Sequence, residues 1–182
     1  MGLKDGTLTE LVDDGCSQPI YEVATTVFSH MLQVLDYLAA EGLVHRDVKP
    51  DNILYLLREN GQYHFQLGDF GLSNQAIMAN TRGAGTPLFM APEMWQIQRQ
   101  TDKVDVWSLY VTIIWTLDVD GFRTKAHNFT TYGEIRDAVC VASADSQVSN
   151  IREMGIINPE ERASATQILD KLFGGARRSA PK

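Results

Sequence analysis

The stretch His45-Arg46-Asp47-Val48-Lys49-Pro50-Asp51-Asn52 gathers an acid, a cation and an amide into one turn-rich loop. That set suits phosphoryl transfer, where positioning and charge placement supply most of the catalysis. A carboxylate at Asp47 can orient a hydroxyl and accept its proton. Lys49, two residues on, can neutralise charge on the moving phosphoryl group, and Asn52 can offer a carbonyl oxygen to Mg²⁺. Downstream, Asp69-Phe70-Gly71 adds a second carboxylate able to bind metal and a glycine that lets the backbone turn sharply.

The surrounding pattern says how these residues are carried. Ser17-Gln18-Pro19 is a helix start; Val23, Val27, Met31, Leu35 and Leu38 then recur at about one helical turn, and Gly42 ends the run. Ile53–Leu57 and Tyr63–Leu67 are short apolar or alternating runs joined through Asn60-Gly61, which predicts an antiparallel hairpin that brings Asn52 and Asp69 side by side. From Gly68 to Pro92 the pattern dissolves into Gly, Asn, Thr and Pro, a loop long enough to imply a function. Val104–Trp115 is apolar on nearly every face and predicts a helix through the middle of a core. Tyr132–Val141 and Ala163–Phe173 read as further helices, the second with Ser164 and Gln167 spaced as a capping box. The fold class is mainly α with a small β-hairpin, in one domain over residues 1–173, followed by a solvated tail at 174–182.

His-Arg-Asp-x-Lys-x-x-Asn, followed in order by Asp-Phe-Gly and by Ala91-Pro92-Glu93, resembles the eukaryotic protein kinase family, and the resemblance runs over about residues 3–173. It implies Asp47 as catalytic base, Lys49 as the phosphate-contacting lysine, and Asn52 and Asp69 as the metal-binding pair, with ATP and Mg²⁺ as cofactors and a protein as substrate. Leu54 resembles the floor under adenine, and residues 2–8 the exit of the hinge. Lys49, with Gly85-Thr86-Pro87, looks like the serine/threonine class. His45 and Phe70 resemble members of the hydrophobic stack that aligns the active form, which Asp105 anchors from below by bonds to backbone near His45. Glu93 and Arg162 resemble a buried ion pair, structural rather than catalytic. Arg46 before Asp47 resembles the mark of kinases whose activation loop is held by a phosphate, with Thr81 as the candidate phosphosite.

Two departures stand out. The sequence has no Gly-x-Gly-x-x-Gly loop and no Val-Ala-Ile-Lys strand, so it resembles the C-terminal lobe alone, with the N-terminal lobe absent. Negligible activity is expected of such a chain by itself. The face that meets the small lobe is then expected to be partly apolar and exposed, open to that lobe or to a partner. The competing function is a noncatalytic binding module built on the same lobe. The second departure is Tyr110, which stands where the family usually has glycine and implies a local change of packing.

Composition narrows the remaining classes. Of 182 residues, 44% are apolar and 21% charged, which excludes a disordered chain. Lys plus Arg number 16 against 23 Asp plus Glu, and the resulting charge of −7 has the wrong sign for nucleic acid. Cys16 and Cys140 lack partners at metal-ligand spacing, and the polar N-terminus offers no signal peptide. The longest apolar run is too short for a bilayer. An intracellular protein, cytoplasmic or nuclear, without membrane or nucleic-acid contacts, is expected. His30, His64 and His127 have no partner pattern and receive no role.

Overall fold

The computed structural model describes residues 4–72, 74–75, 87–96 and 99–174. Strand β1 (Gly6–Thr7) leads directly into helix α1 (Leu8–Asp13), where Thr7 and Glu10 form a capping box. Each side chain there satisfies a backbone N–H that the first helical turn would otherwise leave open. Helix α2 (Ile20–Ala40) starts after Pro19, whose fixed φ suits a helix entry, and it buries Val23, Val27, Met31, Leu35 and Leu38 along one stripe. Gly42, at φ +69°, ends the turn that follows it. Strand β2 (Leu43–Val44) comes next, then a short 3₁₀ turn at Pro50–Asn52.

Strands β3 (Ile53–Leu57) and β4 (Tyr63–Leu67) form the predicted hairpin, in register from Ile53↔Leu67 to Leu57↔Tyr63. The turn is wider than a two-residue one. Arg58 and Gln62 close it, the Gly61 amide donates to the Arg58 carbonyl at 2.8 Å, and Gly61 sits at φ +78°. β1 pairs with the outer side of β3, so the expected hairpin is in fact a three-stranded sheet of order β1-β3-β4. The expected loop after Gly68 also contains structure. A 3₁₀ turn spans Phe70–Leu72, and β5 (Asn74–Gln75) pairs antiparallel with β2.

Past a 3₁₀ turn at Pro87–Phe89 and helix α3 (Pro92–Trp95), helix α4 (Lys103–Leu117) runs through the core as predicted. Buried residues occupy every face of it, and its hydroxyls must therefore find partners internally. Thr112 and Thr116 donate to carbonyls one turn back, and Ser108 reaches both the Val104 carbonyl and the Phe89 carbonyl. α2 packs against α4 on one side and against β4 on another, so the long helix links core to sheet. The short helix α5 (Phe122–Lys125) precedes α6 (Tyr132–Ala142), and α7 (Ala165–Phe173) closes on α2 with the Ser164–Gln167 capping box in place.

Tyr110 on α4 is fully buried and donates its hydroxyl hydrogen to Ser143 Oγ at 2.9 Å. Its ring occupies the space where a side chain at position 155 would begin, and a Cβ built on Gly155 would collide with it. The change of packing implied at Tyr110 is thus a pairing of a large residue with a glycine.

Candidate active site

Asp105, in the first turn of α4, is the buried support of the site. Its two carboxylate oxygens accept the backbone N–H groups of His45 and Arg46, each at 2.7 Å. Burial pushes the Asp105 carboxyl up to about 7, and the two amide bonds pull it the other way. These bonds hold Arg46 at φ +72°, a left-handed conformation that costs a non-glycine residue about 1–3 kcal/mol and persists only where the surroundings enforce it.

His45 is fully buried and links two segments. Its Nε2 lies 2.9 Å from the Gly68 carbonyl, and its Nδ1 accepts the Asp47 backbone N–H at 3.3 Å. One nitrogen facing a carbonyl and the other facing an amide select the neutral ring with its proton on Nε2. Burial lowers the His45 pKa and favours that form. The loop bearing Asp47 and the strand end bearing Asp69 are therefore tied through one imidazole.

Asp47, Lys49 and Asn52 come together. Asp47 Oδ2 is 2.8 Å from the Lys49 ammonium and accepts from Asn52 Nδ2 at 2.9 Å, while the same amide also donates to the Asp47 carbonyl at 2.8 Å. With its NH₂ group committed, Asn52 has its side-chain oxygen Oδ1 left for another contact. Across the hairpin base the Gly68 N–H donates to the Asn52 backbone carbonyl at 2.8 Å, which sets Asp69 one residue beyond this bond along the chain. Leu54 is half-buried, and its Cδ1 lies against Gly68.

The sharp turn expected at Gly71 falls instead on Asp69, at φ +52°. Asp69 Oδ1 accepts the Gly71 N–H at 3.1 Å, an Asx-type bond that makes the left-handed conformation tolerable for aspartate. Phe70 meets His45 edge-on with ring centroids 4.9 Å apart, yet it is 50% exposed. It borders a groove of about 560 Å³ whose other walls include Tyr37 and Leu38 from α2 and Phe65 and Leu67 from β4.

Away from this cluster, Arg162 and Glu93 form a two-pronged ion pair at 2.7 and 3.0 Å, both side chains at 1% exposure or less. The guanidinium also donates to the carbonyls of Ile156, Ile157 and Lys103 and lies over the Trp107 ring. Arg46 is different: it is buried at 3% exposure, and its Nε and Nη2 have no hydrogen-bond partner among the described residues. Thr81, Gly85 and Thr86 lie outside the described residues, as does Gly2.

A histidine pair was not legible in the sequence. His30 on α2 and His64 on β4 have ring centroids 5.1 Å apart, and His30 Nδ1 accepts the Phe65 backbone N–H at 3.2 Å. No local pattern marks them, because the two meet only once α2 is packed on β4.

The residues present fit a divalent ion shared with phosphate oxygens. Among the described residues no group of three or more His, Cys, Asp or Glu side chains could cage an ion alone, whereas Asn52 and Asp69 offer one oxygen donor group each on adjoining segments. Among those residues, too, no helix is long and apolar enough to cross a membrane.

Comparison with known proteins agrees with the geometry. The family model described as protein kinase domain matches residues 3–173. The chain is similar to the serine/threonine-protein kinase STE20 of Candida glabrata, at 31% identity over 94% of this chain and 19% of that protein. It is similar to the serine/threonine-protein kinase PAK 5 of Rattus norvegicus, at 30% over 94% of this chain and 24% of that one. It also resembles the MAP kinase kinase MKK1/SSP32 of Saccharomyces cerevisiae, at 46% over 46% of this chain and 16% of the other. The chain thus spans between 16% and 24% of the length of these relatives.

Proposed function

The chain belongs to the protein kinase family, and on that premise we propose that it is a catalytic region of the serine/threonine type, transferring the γ-phosphoryl group of ATP to hydroxyls of a protein substrate. The observation that carries the reading is Asp47 Oδ2 held between the Lys49 ammonium and the Asn52 amide, with Asp69 next to them across the hairpin base.

In this reading Asp47 receives the proton of the substrate hydroxyl as its oxygen bonds to the γ-phosphorus, and ADP leaves with the electron pair of the broken P–O bond. Lys49 balances the charge that collects on the transferred group. Asn52 and Asp69 would hold Mg²⁺, which when bound would neutralise phosphate charge. Leu54 lies beneath the adenine, and His45 keeps the Asp47 and Asp69 segments in register through its two bonds. Glu93, Asp105 and Arg162 support the fold and touch no reactant.

Residues 1–173 are read as the C-terminal lobe, with 174–182 as a tail. These 182 residues contain no glycine-rich loop and no Val-Ala-Ile-Lys strand, so half of the phosphate cradle has to come from elsewhere. By themselves they are proposed to be inactive. The exposed Phe70 and the apolar groove beside it are where the missing lobe, or a partner in its place, would sit. That exposed surface also favours the second reading, a noncatalytic binding module.

The two Arg46 nitrogens left without partners among the described residues support regulation by phosphate. A phosphoryl group on the loop, with Thr81 as the candidate, would give its Nε and Nη2 charge-assisted partners.

The test is phosphate incorporation from Mg²⁺-ATP into a Ser/Thr peptide pool. The 182 residues alone are expected to give none, and the same chain supplied with a glycine-loop lobe is expected to give incorporation that Asp47→Asn abolishes. Activity of the lone chain that is lost in Asp47→Asn would overturn the inactivity, and activity surviving Asp47→Asn would overturn the catalytic assignment. For a binding module, partner capture would be unchanged by Asp47→Asn.

A further inference from the structure

In an antiparallel ladder the amides of alternate residues point toward and away from the neighbouring strand. Here Gly68 N–H bonds to Asn52 and Arg58 N–H bonds to Gln62, so the even-numbered residues of β4 face β3, and the amides of Tyr63, Phe65 and Leu67 point outward. β4 is also the edge of its sheet. The outward Phe65 N–H is received by a side chain, the His30 Nδ1 at 3.2 Å, projecting from a helix whose next residue, Met31, is fully buried. Four residues after Phe65 the same strand delivers Asp69.

We propose that neutral His30 is a positioning residue, fastening the edge of the strand that carries Asp69, and that a proton on His30 releases it. A ring nitrogen that accepts a hydrogen bond bears no hydrogen, so the contact selects the tautomer with its proton on Nε2. Protonating Nδ1 sets two N–H groups against each other, and the edge amide loses its acceptor. Nothing nearby compensates the new charge. From β4 the ring faces His64, the charged groups acting on the two rings are Arg58 and Lys4, and Lys4 is held close by Gln66 Oε1 at 2.5 Å. From α2 the neighbours in the groove are Gln33 and Tyr37, and no acidic side chain lines it among the described residues. Burial together with these cations lowers the pKa of both histidines, which agrees with a clamp that works neutral.

The consequence for metal binding rests on the proposed role of Asp69, and the clamp itself does not. The experiment is therefore in two parts on the ¹⁵N-labelled 182-residue chain. Long-range nitrogen–proton correlation gives the His30 tautomer and its titration, and hydrogen exchange gives the protection factor of the Phe65 amide between pH 7.5 and 5.5, corrected for intrinsic exchange. Protection is expected to fall at least tenfold as His30 protonates. His30→Asn supplies a non-titrating acceptor at the same distance along the side chain and is expected to keep protection flat with pH; His30→Phe, which keeps a ring and loses the acceptor, is expected to be weakly protected throughout. Protection that ignores the His30 titration in the parent chain, or falls equally in His30→Asn, would overturn the proposal. If neither variant folds, the parent decides it: a neutral His30 with its proton on Nδ1 overturns the clamp, and a bare Nδ1 supports it. Titration with Mg²⁺ and ADP forms the second part. With a glycine-loop lobe supplied, a Phe65 response without any nucleotide binding leaves the clamp standing and counts against the catalytic reading alone.

Discussion

Arg162 and Arg46 are both buried guanidinium groups, and their surroundings are furnished in opposite ways. All five N–H groups of Arg162 have acceptors: two carboxylate oxygens of Glu93 and the carbonyls of Lys103, Ile156 and Ile157. Arg46 sits at φ +72° beside Asp47, with Nε and Nη2 unpartnered among the described residues. Burying a charge without hydrogen bonds is costly, so the first arginine is a finished joint and the second is left incomplete among the described residues. The difference separates a guanidinium whose N–H groups are all satisfied within the fold from one with two nitrogens still lacking acceptors there.

The largest expected effect breaks the finished joint. Arg162→Leu leaves Glu93 buried and unpaired and is expected to cost about 3–5 kcal/mol, read by urea unfolding. Asp105→Ala is expected to be comparable, with about 1–3 kcal/mol for each of the two backbone amides it orphans. By contrast Arg46→Met removes a buried charge whose Nε and Nη2 lack hydrogen bonds among the described residues, so it is expected to cost under about 1 kcal/mol or to raise stability. A loss as large as that of Arg162→Leu would erase the distinction between the two arginines. Added inorganic phosphate sharpens it: the melting temperature of the parent chain is expected to rise, and that of Arg46→Met to stay put.

Acid gives the smallest effect. His30, His45 and His64 all have pKa values lowered by burial, so between those values and 6.5 the unfolded chain binds more protons than the folded one. Their contribution to stability is complete above pH 6.5 and is lost as the pH falls through the lowered values. Asp105, raised to about 7, works in the other direction, gaining as the pH drops from 7 towards 4. Unfolding in urea at a series of pH values should therefore show two opposing contributions, and replacing His30 and His64 by Asn should make the acid side more stable relative to the parent.

Much of this was readable from residue order because the relevant interactions are local or periodic. The stripe on α2, the hairpin and the all-round apolarity of α4 are set by side-chain spacing, and the loop from His45 to Asn52 holds its chemistry within one turn-rich segment. Thr7 and Glu10 also carried a legible capping signal at α1, hidden by the shortness of that helix. What could not be read is what depends on distant segments meeting. β1 joins the sheet across a separation of nearly fifty residues, β5 finds β2 with two residues each, and His30 meets Phe65 only because α2 lies on the edge of β4. The turn at Asp69 escaped for another reason: glycine is the usual left-handed residue, and here an aspartate bonded to the Gly71 amide takes the conformation instead.

Tyr110 and Gly155 constrain the history of the sequence. A methyl group at position 155 has no room while the tyrosine ring is present, yet the ring can be shortened while position 155 remains glycine, at the cost of a cavity. The two sites can therefore change in only one order. A side chain at 155 therefore needs the ring at 110 shortened or displaced first, whereas shortening the ring asks nothing of position 155.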